Sequence, residues 1–444
     1  MKRILLIVIC VIFWNSAAEA AVDACQEYNT ARKEFVSAWM SLATYNDRIG
    51  RLARTELSDL GWDIENFNND CSDVEAKFIV AENKNDQTDP KMYMLAVTGT
   101  ETKRDADLDL RMNKVFFGGS TPVEFVAQAQ RTDLQASDPM VHRGFNTYTQ
   151  AAFFSRDRQG KSIGEEWADQ LKADSEKKLY LTGHSLGGAV ATLAAARLMA
   201  MGVNPAQLEV ISFGAPAVGN EAFGREVGSK INLDRVVIEG DPVKSALQVL
   251  RPDYTQFGAA TVWKKNRNSS KFKHEMVVYV DAALRNYYDA RERAAHAGLL
   301  PVENIPAASQ SMPVYIAPFV FHVDESLAGD VPYMKQSLQD VLRRRLPGCV
   351  FGDGERLSLR EEQEKARAAG CQALVLQEFS AGKMRQEKNM YEMTMQEDIC
   401  DLTGQAFGSL MTVTNTRDFT PIEALLHNVT VLKAERERVL NDIK

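Results

Sequence analysis

The stretch Leu181-Thr182-Gly183-His184-Ser185-Leu186-Gly187-Gly188-Ala189 decides the fold. Before it, Leu179 to Thr182 is a short apolar run that reads as a strand. After it, Ala189 to Met201 is built of small and apolar residues and reads as a helix, ended by Gly202. Gly-x-Ser-x-Gly between a strand and a helix marks a sharp turn that holds a serine hydroxyl above a sheet edge. The reason is steric. The turn is so tight that the positions two residues either side of Ser185 must lack side chains, and Gly183 and Gly187 do. Gly188 and Ala189 let the helix pack close beneath, and the hydroxyl sits near the positive end of the helix dipole.

Working outward, strands alternate with helices. Leu208 to Phe213 and Val236 to Ile238 read as strands, Glu221 to Val227 as helix, and His274 to Arg293 as a long closing helix. Such alternation predicts a mostly parallel sheet covered on both faces. On the N-terminal side, residues 25–60 read as helical from the spacing of Phe35, Trp39, Leu42 and Tyr45. Ala76 to Ala81 and Tyr93 to Thr98 read as strands around a polar turn. Gly298 to Met312 has no period and is rich in Pro, Ala and Ser, so it reads as a boundary. Beyond it, Val314 to Phe321, Gln372 to Phe379, Tyr391 to Gln396 and Phe407 to Thr414 read as strands. Met334 to Leu346, Leu359 to Ala369 and Pro421 to Leu440 read as helices, the last capped by Thr420 with Pro421 at its first position. The expected organisation is a leader at 1–20, an α/β domain at 21–298, a linker at 299–312 and a smaller α+β domain at 313–444.

A serine hydroxyl is a poor nucleophile at neutral pH. It needs a base within hydrogen-bond reach and a group that orients the base. In this kind of fold the chain order is Ser, then Asp or Glu, then His. Four histidines follow Ser185: His274, His296, His322 and His427. His322 and His427 fall in the second domain and His296 in a charged helical run, so His274, between a polar loop and a helix, is the best candidate. For the acid, Asp241 follows the strand Val236 to Ile238, at the carboxyl end where such sites are built. Asp253 and Glu239 compete with it.

Five segments in order resemble the class 3 lipase family, the fungal-type lipases among the α/β-hydrolases. They are Ala96-Val97-Thr98-Gly99-Thr100, Val141-His142-Arg143-Gly144-Phe145, the serine turn, Ser212-Phe213-Gly214-Ala215-Pro216 with Gly219-Asn220, and Gly240-Asp241-Pro242-Val243. The resemblance spans about residues 25–295. It implies an α/β-hydrolase fold, a Ser185–Asp241–His274 triad, and an oxyanion hole from the N–H groups of Leu186 and Thr100. It implies hydrolysis of lipid or other carboxylic esters through an acyl-enzyme, with no metal or organic cofactor. The family's usual Phe-Arg-Gly is Val97-Thr98-Gly99 here. His142 matches a family position and reads as structural. A phospholipase A-type acyl hydrolase with the same triad, and an inactive scaffold on this fold, are the alternatives.

Several weaker features bear on setting and partners. The formal charge is −8, with 45% apolar and 25% charged residues, so the chain is globular and not drawn to nucleic acid by bulk charge. Lys2 and Arg3, the apolar run Ile4 to Trp14, and Ala18-Glu19-Ala20 read as a signal peptide cleaved after Ala20, hence a secreted or periplasmic protein. Export permits disulfides. The placement of Cys25, Cys71, Cys349, Cys371 and Cys400 suggests Cys25–Cys71 and one pair among the last three. A lipid anchor on Cys25 is disfavoured by Asp23. Val115-Phe116-Phe117-Gly118-Gly119 reads equally as a swinging apolar cover over the site or as a core strand. Asp105, Asp107 and Asp109 imitate a calcium loop, but Leu110 and Phe116 stand where it needs Gly and Glu. Lys264, Lys265, Arg267, Lys271 and Lys273 read as a solvated basic loop. The expected substrate is a lipid or ester, met at a membrane or micelle surface. The C-terminal order loosely resembles small domains of bacterial envelope proteins, such as the amino-terminal domain of TolB, which implies an envelope protein partner.

Overall fold

The computed structural model describes residues 2–71, 74–84, 92–100, 113–155, 160–243, 248–249, 251–300, 313–385, 387–403 and 405–443. These residues form two compact units. One comprises Val36–Lys265 and Phe272–Val280, the other Met1–Phe35, Asn266–Lys271 and Asp281–Lys444. In chain order the helices are α1 (Lys2–Ala43), α2 (Arg48–Asp59), α3 (Pro122–Ala129), α4 (Arg143–Thr149), α5 (Ile163–Ala173), α6 (Leu186–Ala200), α7 (Glu221–Glu226) and α8 (Met276–His296). They continue with α9 (Val331–Arg345), α10 (Leu359–Ala368), α11 (Pro421–Val431) and α12 (Lys433–Asp442). Among the described residues, no helix is long and apolar enough to cross a membrane.

The unit that carries Ser185 is built on seven strands. These are β1 (Trp62–Cys71), β2 (Val74–Asn83), β3 (Met92–Val97), β6 (Lys178–His184), β7 (Leu208–Phe213), β8 (Leu233–Ile238) and β9 (Ala260–Trp263), adjacent in that order. Pairing is antiparallel from β1 to β3 and parallel from β3 to β9. This is the α/β-hydrolase arrangement, with the carboxyl ends of β3, β6, β7 and β8 on one edge. A two-stranded ribbon, β4 (Lys114–Phe116) with β5 (Met140–His142), stands beside it. The central helix α6 is buried on nearly all sides, which is why its small residues are needed: Ala189, Ala191, Ala195 and Ala196 are fully enclosed. Ser41 of α1 reaches Thr182 of β6 across 3.0 Å.

Val115-Phe116-Phe117-Gly118-Gly119 belongs to the core rather than to a swinging cover. Val115 and Phe117 are buried, and Arg197 of α6 lies between the rings of Phe117 and Phe125 at 3.8 and 4.2 Å. Arg197 also donates to Gly118 O and Asn146 Oδ1. Residues 101–112, with Asp105, Asp107 and Asp109, lie outside the described residues.

The second unit carries β10 (Val314–Ile316), β11 (Val320–Val323), β12 (Val350–Phe351), β13 (Ala373–Lys383), β14 (Tyr391–Asp401) and β15 (Ala406–Asn415). The strand order is β12-β10-β13-β14-β15, with β11 also on β13. Pairing is parallel around β10 and antiparallel from β13 to β15. The expected single strand Val314 to Phe321 is two strands, because Pro318 lacks the N–H a ladder needs. The expected helix Pro421 to Leu440 is likewise two, α11 and α12, divided at Leu432. A buried two-pronged pair, Arg436 with Glu397, links α12 to β14. Asp330 accepts from the side chains of Asn266 and Asn268 and pairs with Arg285. Asn268-Ser269-Ser270 and Asn428-Val429-Thr430 have the Asn-x-Ser/Thr pattern of glycosylation acceptors, but Asn268 and Asn428 are buried with their amide N–H groups engaged, so neither is accessible. The expected disulfides are absent where the structure speaks to them: Cys25, Cys349, Cys371 and Cys400 are free thiols.

Candidate active site

Ser185 sits between β6 and α6 with φ 56° and ψ −123°. A side chain in that region costs on the order of 1–3 kcal/mol and persists only where the surroundings impose it. Here they do. A Cβ on Gly187 would lie 2.2 Å from Val97 O, and one on Gly183 would lie 2.4 Å from the Gly187 carbonyl carbon. The end of β3, the end of β6 and the first turn of α6 therefore meet at van der Waals limits. The Ser185 N–H donates to Phe213 O at 2.9 Å and ties the turn to β7.

Three elements bring their side chains to this turn. His274, just before α8, has Nε2 2.9 Å from Ser185 Oγ and Nδ1 2.8 Å from Asp241 Oδ2. Asp241 lies beyond β8, and its Oδ1 takes the Val243 N–H at 2.9 Å. Tyr279, inside the first turns of α8, donates its hydroxyl to Asp241 Oδ2. Burial pushes the Asp241 carboxyl up, but the bonds from His274, Tyr279 and Val243 outweigh it and hold the group below the usual carboxylate range. An ionised Asp241 keeps the proton of His274 on Nδ1. Nε2 then presents its lone pair to the Ser185 hydroxyl. Burial and the Asp241 charge push the Tyr279 phenol up, so it remains a donor.

The competing groups sit elsewhere. Asp253 is partly exposed and pairs with Lys114 and Arg251. Glu239 is exposed, as are His296 and His322, and His427 stacks on Phe419. His142 is buried, and its Nδ1 accepts the Phe145 N–H at the start of α4, a capping role.

Leu186 opens α6, so its N–H belongs to the first turn, which has no intrahelical acceptor. Thr100 is exposed two residues beyond Thr98, where the chain leaves β3 beside Gly183. Gly99 holds this exit against the serine turn: a Cβ there would lie 2.9 Å from His184 O. Among the described residues, no group of three or more His, Cys, Asp or Glu could hold a metal ion.

Tyr279 did not stand out in the sequence. A tyrosine just inside a helix is indistinguishable from ordinary core until its hydroxyl is seen on a carboxylate. Its position shortly after the candidate base was the only hint.

Residues 95–249 match the class 3 lipase family. That span contains Thr100, Ser185, Leu186 and Asp241, and His274 lies beyond it. The chain is 33% identical over 161 residues to phospholipase A(1) DAD1 of Arabidopsis thaliana, covering 30% of this chain and 35% of that one. It is 42% identical over 64 residues to secreted mono- and diacylglycerol lipase 1 of Fusarium solani, covering 14% and 18%. The chain thus spans about a third or less of the length of these curated relatives. Among solved structures, it is similar to a fungal lipase in complex with an inhibitor, at 21% identity and TM-score 0.41, over 55% of this chain and 82% of that one. It is also similar to mono- and diacylglycerol lipase from Aspergillus oryzae, at 20% identity and TM-score 0.40, with the same coverage. These comparisons give no support to an envelope protein partner.

Proposed function

We propose that this chain hydrolyses carboxylic esters of lipids through an acyl-enzyme on Ser185. The observation that carries the reading is the continuous hydrogen-bond chain Ser185–His274–Asp241 on a strained turn. His274 Nε2 takes the Ser185 proton as Oγ attacks the ester carbonyl. Asp241 orients the imidazole and balances the cation that forms. The N–H groups of Leu186 and Thr100 receive the oxyanion, each worth about 10²–10³ in rate. His274 then gives its proton to the leaving alcohol. A water, deprotonated by the same nitrogen, releases the acid and regenerates Ser185.

The class 3 lipase match supports a lipid ester as substrate. The Arabidopsis relative is named a phospholipase A(1), which favours a second reading in which the ester belongs to a phospholipid. The test is a fluorophosphonate probe together with p-nitrophenyl butyrate, p-nitrophenyl palmitate and phosphatidylcholine, each beside Ser185→Ala. Serine-dependent labelling and turnover support the hydrolase, and release of fatty acid from phosphatidylcholine supports the second reading. A folded protein with no labelling overturns both and leaves a scaffold. Export with cleavage after Ala20 belongs to the same proposal, from the leader-like residues 1–20. N-terminal sequencing of the protein recovered outside the cytoplasm tests it.

A further inference from the structure

Two polar side chains beside Ser185 take no part in the steps above: His184 and Tyr45. His184 is the last residue of β6 and is buried. Its Nε2 lies 2.7 Å from the main-chain oxygen of His274. A carbonyl oxygen can only accept, so Nε2 carries a proton. Burial first, and then the nearby His274, push His184 down to about 3, so the ring is neutral and its Nδ1 is an acceptor. Tyr45, in the link between α1 and α2, has its hydroxyl 2.9 Å from that Nδ1 and donates to it. The same hydroxyl lies 2.3 Å from where a Cβ of Gly99 would stand. One oxygen therefore touches the turn that leads to Thr100 and, through one imidazole, the backbone of His274.

We propose that Tyr45 and His184 are positioning residues, a hydrogen-bond chain that holds the backbone of the base and the Gly99–Thr100 turn in fixed register about Ser185. The proposal rests on the hydrolase reading for its kinetic consequence, but the chain itself is open to a test that needs no activity. The rings of His184 and His274 lie 4.6 Å apart between centroids, so a shift of one displaces the other. The base and the oxyanion donors come from distant parts of the sequence, and displacing a reacting group by a fraction of an ångström to 1 Å is costly in rate. A neutral donor–acceptor ring suits this task, since it changes neither charge nor tautomer during turnover.

The experiment uses the full chain labelled with ¹⁵N-histidine. Long-range proton–nitrogen spectra report which nitrogen of each imidazole is protonated, and His184→Gln assigns the resonance. The expected result is His184 as the Nε2–H tautomer, with its Nδ1 resonance moved by Tyr45→Phe as the donor is lost. In kinetics, Tyr45→Phe lowers kcat about ten-fold with KM within about two-fold. His184→Gln, which can still donate to His274 O, retains more activity than His184→Leu. An Nδ1–H tautomer, or a Tyr45→Phe protein with wild-type kcat, overturns the proposal. Absence of Ser185-dependent labelling in the wild type overturns the hydrolase reading instead, and the spectra still decide the hydrogen-bond chain.

Discussion

Tyr279→Phe removes one oxygen from the most enclosed part of the site. Its hydroxyl donates to Asp241 Oδ2 and accepts the Ile238 N–H at 3.3 Å. The Asp241 side chain is 0% exposed, so no water replaces the lost donor. A hydrogen bond to a charged group is worth about 1.5–3 kcal/mol, and an orphaned N–H adds about 1 kcal/mol, so the substitution costs about 2.5–4 kcal/mol. With a urea dependence of about 2 kcal/mol per molar, the unfolding midpoint falls by roughly 1–2 M. The sign of the pH dependence follows from Asp241. Its folded carboxyl is held below its unfolded value, so it contributes stability above the unfolded range and loses it as pH falls through the folded value. The wild type therefore keeps its advantage over Tyr279→Phe unchanged from pH 7 to pH 5. The unfolded state is the same in both proteins, so the advantage shrinks as the pH falls through the folded carboxyl values, first the variant's, which lies higher for want of the Tyr279 bond, and then the wild type's. Urea unfolding at pH 7, 5 and 3.5, followed by tryptophan fluorescence, measures this. A midpoint shift under about 0.3 M at pH 7 refutes the assignment of Tyr279 as a donor to an ionised Asp241. So does a shift that grows on acidification.

Other expectations follow from single features. Ser185→Gly is more stable than Ser185→Ala by about 1 kcal/mol, because only glycine is at ease at φ 56°; thermal unfolding of the two inactive variants compares them directly. Gly187→Ala places a Cβ 2.2 Å from Val97 O, and soluble yield or turnover falls by at least about 100-fold, since the turn cannot form unaltered. Gly99→Ala costs less activity in a Tyr45→Phe background than in the wild type, because the 2.3 Å clash is with the Tyr45 hydroxyl; a double-mutant cycle on kcat reads the difference. Cys25 reacts quickly with maleimide under native conditions, Cys371 and Cys400 slowly, and the mass of each alkylated species is the same with and without reductant.

The serine turn was legible because its chemistry is local. Gly183 and Gly187 are dictated by contacts within a few residues and by the end of β3, and glycine spacing records that in the sequence. The strands from β6 to β8 were legible for a related reason: buried on both faces, they are short apolar runs. Strand β1 was not. Trp62 to Cys71 is an edge strand of polar residues, stabilised by its ten-residue pairing with β2 rather than by an apolar period of its own. Strand β9 was missed as well, since Ala260 and Val262 are exposed and only Trp263 is buried. Val115 to Gly119 reads as either a cover or a core strand because three apolar residues beside two glycines look alike in a hinge and in a core. What separates the two is Arg197, eighty residues on, lying between Phe117 and Phe125.

The same distinction runs through the site. Ser185 could be nominated because its turn restricts residue type, Asp241 because it follows the carboxyl end of a strand, and His274 because the chain order leaves few histidines to choose from. Tyr279, His184 and Tyr45 could not, because nothing local restricts them. Their roles exist only in the contacts made after β6, β8 and α8 have packed. A hydroxyl donor to Asp241 and a ring between Tyr45 and His274 O are properties of the assembled unit. Substituting these three residues therefore tests the assembly more directly than removing Ser185 does. Ser185→Ala asks whether the chemistry passes through one oxygen. Tyr45→Phe and Tyr279→Phe each remove one oxygen that is bonded to another side chain of the site, to His184 and to Asp241, so a fall in kcat from either measures how much of the reaction depends on how firmly the unit holds its base and its acid.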